Sequence, residues 1–131
     1  MSAQTLLGFD YGAKRIGVAV GQDLTRTATA LETVAVHGAG PDWAAITRLI
    51  DDWRPSALVV GVPLNEDGSE HHVTQAARRF GQQLRGRYRL PVYHVDERLS
   101  SHAAREYSTQ DLDKIAAQLI LQSWLQHHAQ S

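Results

Sequence analysis

Three acidic residues of this chain stand where apolar segments end or where a helix is expected to begin. Asp10 follows the apolar residues 6–9, Glu97 follows residues 91–95, and Asp113 stands near the start of a C-terminal helical pattern. A carboxylate at the end of a buried strand is costly unless a cation, a metal ion or several hydrogen-bond donors pair with it. If the first and last strands are neighbours, the three carboxylates converge and repel one another unless hard cations lie between them. We therefore predict a Mg²⁺ or Mn²⁺ site, because these ions prefer oxygen ligands.

Such a site indicates phosphodiester hydrolysis. Two divalent ions held about 4 Å apart can activate a water and stabilise the leaving oxygen. In this hypothesis Asp10 bridges the metals, Glu97 and Asp113 complete their coordination, and the product carries a 5′ phosphate. Each acid alone has an ordinary alternative: Asp10 as a turn residue, Asp113 as a helix cap favoured by the helix dipole, and Glu97 in a surface ion pair with Arg98 or Arg105.

Hydrophobic periodicity predicts the elements that position these acids. Residues 6–10 and 15–21 are typical of two strands joined by a turn, in which Gly12 supplies an unusual dihedral angle. Residues 29–36 predict a third strand, and a helix follows Pro41 and ends before Pro55, with Trp53 on its core side. We also predict strands over 57–62 and 91–95, a helix capped by Ser69, a short helix over 100–107 and a longer helix over 112–126.

This element order predicts one α/β domain over residues 1–131, built on a mixed five-stranded sheet. Three antiparallel meander strands and two parallel strands form the sheet, and helices flank it. Ligands of such sheets collect outside the carboxyl ends of the parallel strands. A chain of 131 residues is also too short for the two lobes of a sugar-kinase or chaperone-type ATPase, which begin with a similar strand, aspartate and glycine turn.

Composition limits the possible environments and partners. The chain has no cysteine, which excludes disulfides and thiolate metal sites and indicates a reducing cytosol. No apolar window approaches the roughly 18 residues of a membrane span, and residues 1–5 lack the basic start of a signal peptide. We therefore expect a cytoplasmic protein with no membrane partner.

Basic residues are distributed unevenly although the net charge is only −1. All of the 13 basic residues except Lys14 and Lys114 are arginine, and residues 78–89 contain five of them. Arginine suits bidentate phosphate contacts but also serves on a solvated helix face, so both interpretations stay open. The paired histidines at 71–72 and 127–128 do not favour zinc, because adjacent helical positions point apart.

Four motifs resemble the bacterial YqgF family in order and spacing. They are FDYG at 9–12 with RIGVA at 15–19, VGVPLN at 60–65 with DGS at 67–69, DERLS at 96–100, and Asp113 with AA at 116–117 and LILQ at 119–122. This family is described as Holliday junction resolvases and pre-16S ribosomal RNA nucleases. The resemblance implies a ribonuclease H-like fold and a metal-dependent nuclease. By position, Asp10, Glu97 and Asp113 match the acidic residues of the family.

Polar residues beside these acids form the expected nucleic-acid contacts. Lys14, Arg15, Asn65 and Arg98 lie within the motif segments, and their charge and position suit a phosphate backbone; Asn65 has the alternative of a well-capped helix entry. The chain departs from the family before its last aspartate, where residues 107–112 replace a longer, glycine-containing basic stretch. Fewer cationic groups there imply weaker, salt-sensitive binding of a polyanion. Asp111 is a rival to Asp113 on a less apolar helix face.

We therefore predict a Mg²⁺- or Mn²⁺-dependent nuclease acting on structured nucleic acid, with precursor 16S rRNA favoured and its 5′ end the processed site in ribosome biogenesis. One alternative is a Holliday junction resolvase acting on branched DNA, for which a dimer would give two symmetric cuts. Another is a non-catalytic RNA-binding assembly factor, which has no need of three repelling acids. Both a monomer and a homodimer remain open.

Overall fold

The computed structural model describes residues 4–65, 67–70, 72–98 and 109–128, and only the backbone of residues 72, 97, 98, 109–112 and 128. The strands are β1 (Thr5–Tyr11), β2 (Arg15–Gln22), β3 (Thr27–His37), β4 (Gly40–Pro41), β5 (Ala57–Leu64) and β6 (Val92–Arg98). The helices are α1 (Trp43–Trp53), α2 (His72–Tyr88) and α3 (Thr109–His128). The predicted α/β class is confirmed. The sixth strand is the two-residue β4, which pairs with β3 after Gly40 turns the chain at a φ of 116°.

Several element boundaries differ from the predictions. Strand β6 continues through Asp96, Glu97 and Arg98 instead of ending before them, and α3 begins at Thr109, three residues earlier than predicted. The short helix predicted over 100–107 lies outside the described residues. The acids at positions 97 and 113 therefore lie inside regular elements, where backbone hydrogen bonds fix their positions.

The sheet order is β4-β3-β2-β1-β5-β6, so β5 lies between β1 and β6. The supposition that the first and last strands are neighbours is wrong. They are nevertheless aligned, since Asp10 is in register with Gly61 of β5 and Gly61 with Val95 of β6. Strands β1, β5 and β6 are parallel, and their carboxyl ends therefore meet at one edge of the sheet.

The β1–β2 turn uses Gly12 for a different reason from the predicted one. Gly12 does not adopt a positive φ, so it supplies no unusual dihedral. A Cβ atom at this position would lie 2.7 Å from the carbonyl oxygen of Arg15. Glycine is needed because the two arms of the turn approach closely.

Helices cover both faces of the sheet. One core cluster joins α1 and α2 to the sheet through Phe9, Ile46, Phe80 and other large side chains, and a second joins α3 to the opposite face. Trp53 does not take the core position predicted for it, because it is 40% exposed. Among the described helices there is none whose length and apolar character would allow it to cross a bilayer.

Candidate active site

Asp10 lies between two glycines on the neighbouring strands. It is the penultimate residue of β1, in register with Gly17 of β2 on one side and with Gly61 of β5 on the other. Leu6 belongs to the α3-side core and Leu7 to the opposite core, so strand alternation directs Asp10 to the α3 face. The carboxylate is partly buried at the carboxyl end of the strand.

Helix α3 packs very closely on this face because the sheet presents glycines to it. A Cβ at Gly8 would lie 2.7 Å from Leu121 Cβ, one at Gly21 2.7 Å from Leu125 Cδ1, and one at Gly61 2.4 Å from Ile120 Cδ1. Helix α3 comes closest to the sheet at Gly17, where an added Cβ would lie only 1.8 Å from the backbone oxygen of Asp113. Because Gly17 is also in register with Asp10, the helix backbone at Asp113 lies over the strand pair that carries Asp10.

The Asp113 carboxylate is paired with an arginine from the β1–β2 hairpin. The Arg15 Nε donates a hydrogen bond to Asp113 Oδ2 over 2.8 Å, and the two side chains are 36% and 24% exposed, respectively. The predicted nucleic-acid contact at Arg15 is thus engaged with a predicted metal ligand. This pair ties the beginning of α3 to the hairpin that follows Asp10.

Glu97 and Arg98 occupy the last two positions of β6, in register with Pro63 and Leu64 of β5. Position 97 follows Val95, the β6 residue aligned with Asp10 through Gly61, by two residues. The backbone therefore brings position 97 to the same edge of the sheet as Asp10. The side chains of Glu97 and Arg98 are outside the described part, and so is that of the rival Asp111.

Lys14 and Asn65 lie at the same edge but differ in their surroundings. Lys14 is exposed in the hairpin turn. Asn65 follows β5, and its Nδ2 donates to Ser69 Oγ over 2.9 Å while its backbone N–H donates to the Ser69 carbonyl oxygen over 2.9 Å. Asn65 thus closes its own loop. Ser69 lies three residues before the described start of α2, and its hydroxyl donates to Asp67 Oδ1 over 2.6 Å; its capping role stays a prediction.

The donors at this edge suit a hard divalent cation. The two described acids, Asp10 and Asp113, offer carboxylate oxygens, and Asp113 Oδ2 accepts a hydrogen bond from the cationic Arg15 at 2.8 Å. The two glycines beside Asp10 let α3 approach the sheet closely, with the Asp113 backbone over Gly17 and the Ile120 side chain over Gly61. Among the described side chains no three histidine, aspartate or glutamate residues come together as a metal cluster; Glu97 is not one of those side chains.

The sequence patterns do not single out the glycines that let α3 approach the sheet. They place Gly17 and Gly61 only within apolar strands. A glycine inside a strand is nevertheless a signal of close backbone approach. Gly61 within the wholly apolar residues 57–62 carried that signal most clearly.

Comparisons with known proteins agree on one family. The model of a family described as RuvX, Holliday junction resolvase, matches residues 4–127. A protein of Hydrogenovibrio crunogenus named "Putative pre-16S rRNA nuclease" is 52% identical over 123 residues, which are 92% of this chain and 92% of that protein. A protein of the same name from Nitrosococcus oceani is 52% identical over 129 residues, covering 92% of this chain and 85% of that protein. Among solved structures, RuvC of T. thermophilus in complex with a Holliday junction substrate superposes with a TM-score of 0.60. The two sequences are 16% identical, and the superposition covers 96% of this chain and 97% of the RuvC chain. This likeness shows the shared fold.

Proposed function

Because the chain belongs to the RuvX Holliday junction resolvase family, we propose that it is a metal-dependent nuclease that processes the 5′ end of precursor 16S rRNA. The proposed reaction is hydrolysis of phosphodiester bonds in a structured nucleic acid, in the cytoplasm, with Mg²⁺ or Mn²⁺ as the cofactor. Two relatives at 52% identity are named "Putative pre-16S rRNA nuclease", which supports precursor 16S rRNA as the substrate. Family membership also implies dependence on divalent metal ions in general.

One observation carries the proposal. The sheet places Asp10 between Gly17 and Gly61, and the missing side chain at Gly17 lets the α3 backbone at Asp113 lie against the same strand pair. Close packing at this strand end leaves out the buried area that side chains would add. It does bring two acids from distant parts of the sequence to one edge of the sheet.

The residues at this edge have distinct proposed roles. Asp10, Glu97 and Asp113 would hold the cations, which when bound supply a nucleophilic water and stabilise the charge on the leaving oxygen. Arg15 pairs with the Asp113 carboxylate through its hydrogen bond, and a bound cation would compete with it for Oδ2. Lys14, exposed in the adjacent turn, and Arg98 add positive charge where a phosphate group would arrive. Asn65 supports the edge by holding its loop closed.

Branched DNA is a second candidate substrate. The matching family model is described as a Holliday junction resolvase, and the fold superposes on a RuvC chain that was solved with a junction. The likeness to RuvC shows only the fold, because identity is 16%. RNA is favoured because the relatives named for pre-16S rRNA are far more similar in sequence.

A direct comparison of substrates tests the proposal. The purified protein is offered a precursor 16S rRNA fragment, a single-stranded RNA without secondary structure and a four-way DNA junction, each with Mg²⁺, with Mn²⁺ and with EDTA. We expect metal-dependent cleavage of the precursor that leaves a 5′ phosphate on the product. Preferred cleavage of the four-way junction would replace the RNA assignment with the DNA one. Cleavage that persists in EDTA would contradict a metal-dependent reaction.

A further inference from the structure

Helix α2 carries a concentration of positive charge that the proposed reaction does not use. It contains four arginines and no acidic residue. Ala77, Phe80 and Leu84 form its buried side, so the arginines lie around its exposed part. They are Arg78, Arg79, Arg85 and Arg87.

Arg78 and Arg85 share the side of α2 that faces strand β6. Seven residues separate them, which is about two helical turns or about 10 Å along the axis. The Arg85 Nη2 donates to the carbonyl oxygen of Val92 over 3.1 Å, which holds this guanidinium against the beginning of β6. The Arg78 guanidinium pairs with the Glu70 carboxylate just before the helix. Arg85 is therefore held against the strand, and Arg78 is held by Glu70 near the beginning of the helix.

His94 of β6 lies between these two arginines. A Cβ at Gly81, midway between them in α2, would lie 2.4 Å from His94 Nε2, so the imidazole ring rests against the helix backbone. Partial burial and then the charges of Arg85 and Arg78 lower the pKa of His94, while Asp96 acts in the opposite direction. The two guanidinium groups thus act on the same small region of the surface. We refer to Arg78, His94 and Arg85 as the basic row.

The basic row lies beside the outer edge of the sheet and leads toward the candidate active site. Strand β6 is the last strand in the sheet order, and its outer side has no partner strand within the described residues. Position 97 follows His94 by three residues in the same strand, or roughly 10 Å. The row lies on the α2 face and Asp10 faces α3, so a chain molecule bound along the row would pass around the outer edge of β6 to reach the carboxyl edge that carries Asp10 and position 97.

We propose that the basic row binds the sugar–phosphate backbone of a double-helical arm of the nucleic-acid substrate, next to the cleavage site. The proposal rests on the nucleic-acid substrate proposed above. Guanidinium groups bind phosphate oxygens in a bidentate manner. The two arginines stand about 10 Å apart along the helix axis, which is far enough for them to bind different phosphates of one strand. In the complex a phosphate takes the place of Glu70 at Arg78. An acidic protein partner is the competing occupant, but it gives no reason for the row to lead to the carboxyl edge of the sheet, where the proposed nuclease site lies.

Binding measurements with a matched control test the basic row. The row variant is Arg78→Gln/Arg85→Gln. The control variant is Arg48→Gln/Arg79→Gln, which removes the same amount of charge. Arg79 lies on another side of α2. Arg48 on α1 pairs with Glu32, just as Arg78 pairs with Glu70. The ligand is a fluorescent RNA hairpin with a 5′ single-stranded extension, prepared with a long stem and with a stem of a few base pairs. Anisotropy in EDTA at several salt concentrations gives affinities without cleavage, and thermal unfolding verifies the fold of each variant.

We expect the row variant to bind the long stem roughly tenfold more weakly and to reduce the slope of log K against log salt by about 1.8, for two lost phosphate contacts. The short stem and the control variant should change by less than about twofold. Equal losses in the two variants would show general charge attraction and overturn the basic row. Unchanged RNA affinity in the row variant would also overturn it, and would leave the acidic protein as the occupant. These outcomes are separate from the nuclease proposal, since no step of this assay requires cleavage.

Discussion

The two faces of the sheet are packed by opposite means. The face under α1 and α2 is filled by large side chains, and Phe80 contacts the rings of Phe9, Tyr11 and Trp43 at centroid distances of 5.6, 5.2 and 5.7 Å. The face under α3 is instead lined by glycines at positions 8, 17, 21 and 61. The first face gains stability from buried area. The α3 face buries less side-chain area, but it lets the helix that carries Asp113 approach closely. We infer that the α1 and α2 face mainly stabilises the fold and that the α3 face mainly positions the site.

Adding a side chain at Gly17 should have the largest effect, because it should lower both cleavage and stability. The Cβ of Gly17→Ala would meet the Asp113 backbone oxygen at 1.8 Å, so the beginning of α3 must move. We expect cleavage to fall about 100-fold, the order of loss that accompanies a displacement of about 1 Å at a reacting group. We also expect a loss of 1–3 kcal/mol, on the order of overpacking costs, in the free energy of unfolding. Gly86→Ala in α2 is the control: nothing lies within 4 Å of its Cβ, so cleavage should be maintained and the free energy of unfolding should stay the same or rise by up to about 1 kcal/mol, because alanine favours a helix over glycine. Full activity in Gly17→Ala would show that the close approach is unimportant.

Replacing Phe80 by a smaller residue should lower stability and leave cleavage unchanged. Phe80→Leu removes the ring contacts of the α1 and α2 face, and we expect it to cost on the order of 1–3 kcal/mol in the free energy of unfolding. The cleavage rate per folded molecule should stay within about twofold, because the α3 face is untouched. Urea unfolding and initial cleavage rates on the same samples measure the two effects. A specific loss of cleavage without loss of stability would contradict the division between the faces.

The Arg15–Asp113 pair allows cation binding at the α3 face to be tested. Because Arg15 occupies Asp113 Oδ2 at 2.8 Å, a bound cation has to compete with its guanidinium. Arg15→Gln should therefore bind Mn²⁺ a few-fold more tightly, as measured by the free Mn²⁺ signal in electron paramagnetic resonance, while its RNA affinity in EDTA falls. Lys14→Gln, which removes a neighbouring exposed charge, serves as the comparison. Weaker Mn²⁺ binding in Arg15→Gln would show that the arginine supports the cation site instead of competing for it.

The smallest expected effect concerns His94 on the opposite face. Its pKa is lowered in the folded protein by partial burial and by Arg85 and Arg78, against Asp96. The folded state thus holds its proton less tightly than the unfolded chain, so stability from this group is present above an ordinary histidine pKa of about 6.5 and is lost as the pH falls through the lowered value. His94→Gln should flatten this part of the stability profile. Binding of a phosphate backbone should raise the pKa of His94, which proton NMR of its ring can follow; an unchanged pKa in the RNA complex would count against the basic row.

Much of the fold could be predicted because apolar periodicity and turn residues directly reflect local structure. The α/β class, the meander and the strand at β5 follow from patterns at residues 6–21 and 57–62. The insertion of β5 between β1 and β6 could not be predicted, because strand order depends on contacts distant in sequence. The same applies to the Arg15–Asp113 pair, which joins residues separated by 98 positions. The proposed roles of Asp10, Glu97 and Asp113 came from their placement at the ends of predicted elements and from the motif resemblance, and they remain predictions.

The most direct measurement of the central claim is cleavage by Asp10→Asn. The substitution keeps the size of the side chain and removes its charge at the position between Gly17 and Gly61. With folding verified by thermal unfolding, we expect cleavage of a precursor 16S rRNA fragment in Mn²⁺ to fall about 100-fold or more, since a carboxylate that holds the cations is lost. Undiminished cleavage of the RNA fragment and of a four-way DNA junction would contradict the assignment of this sheet edge as the active site.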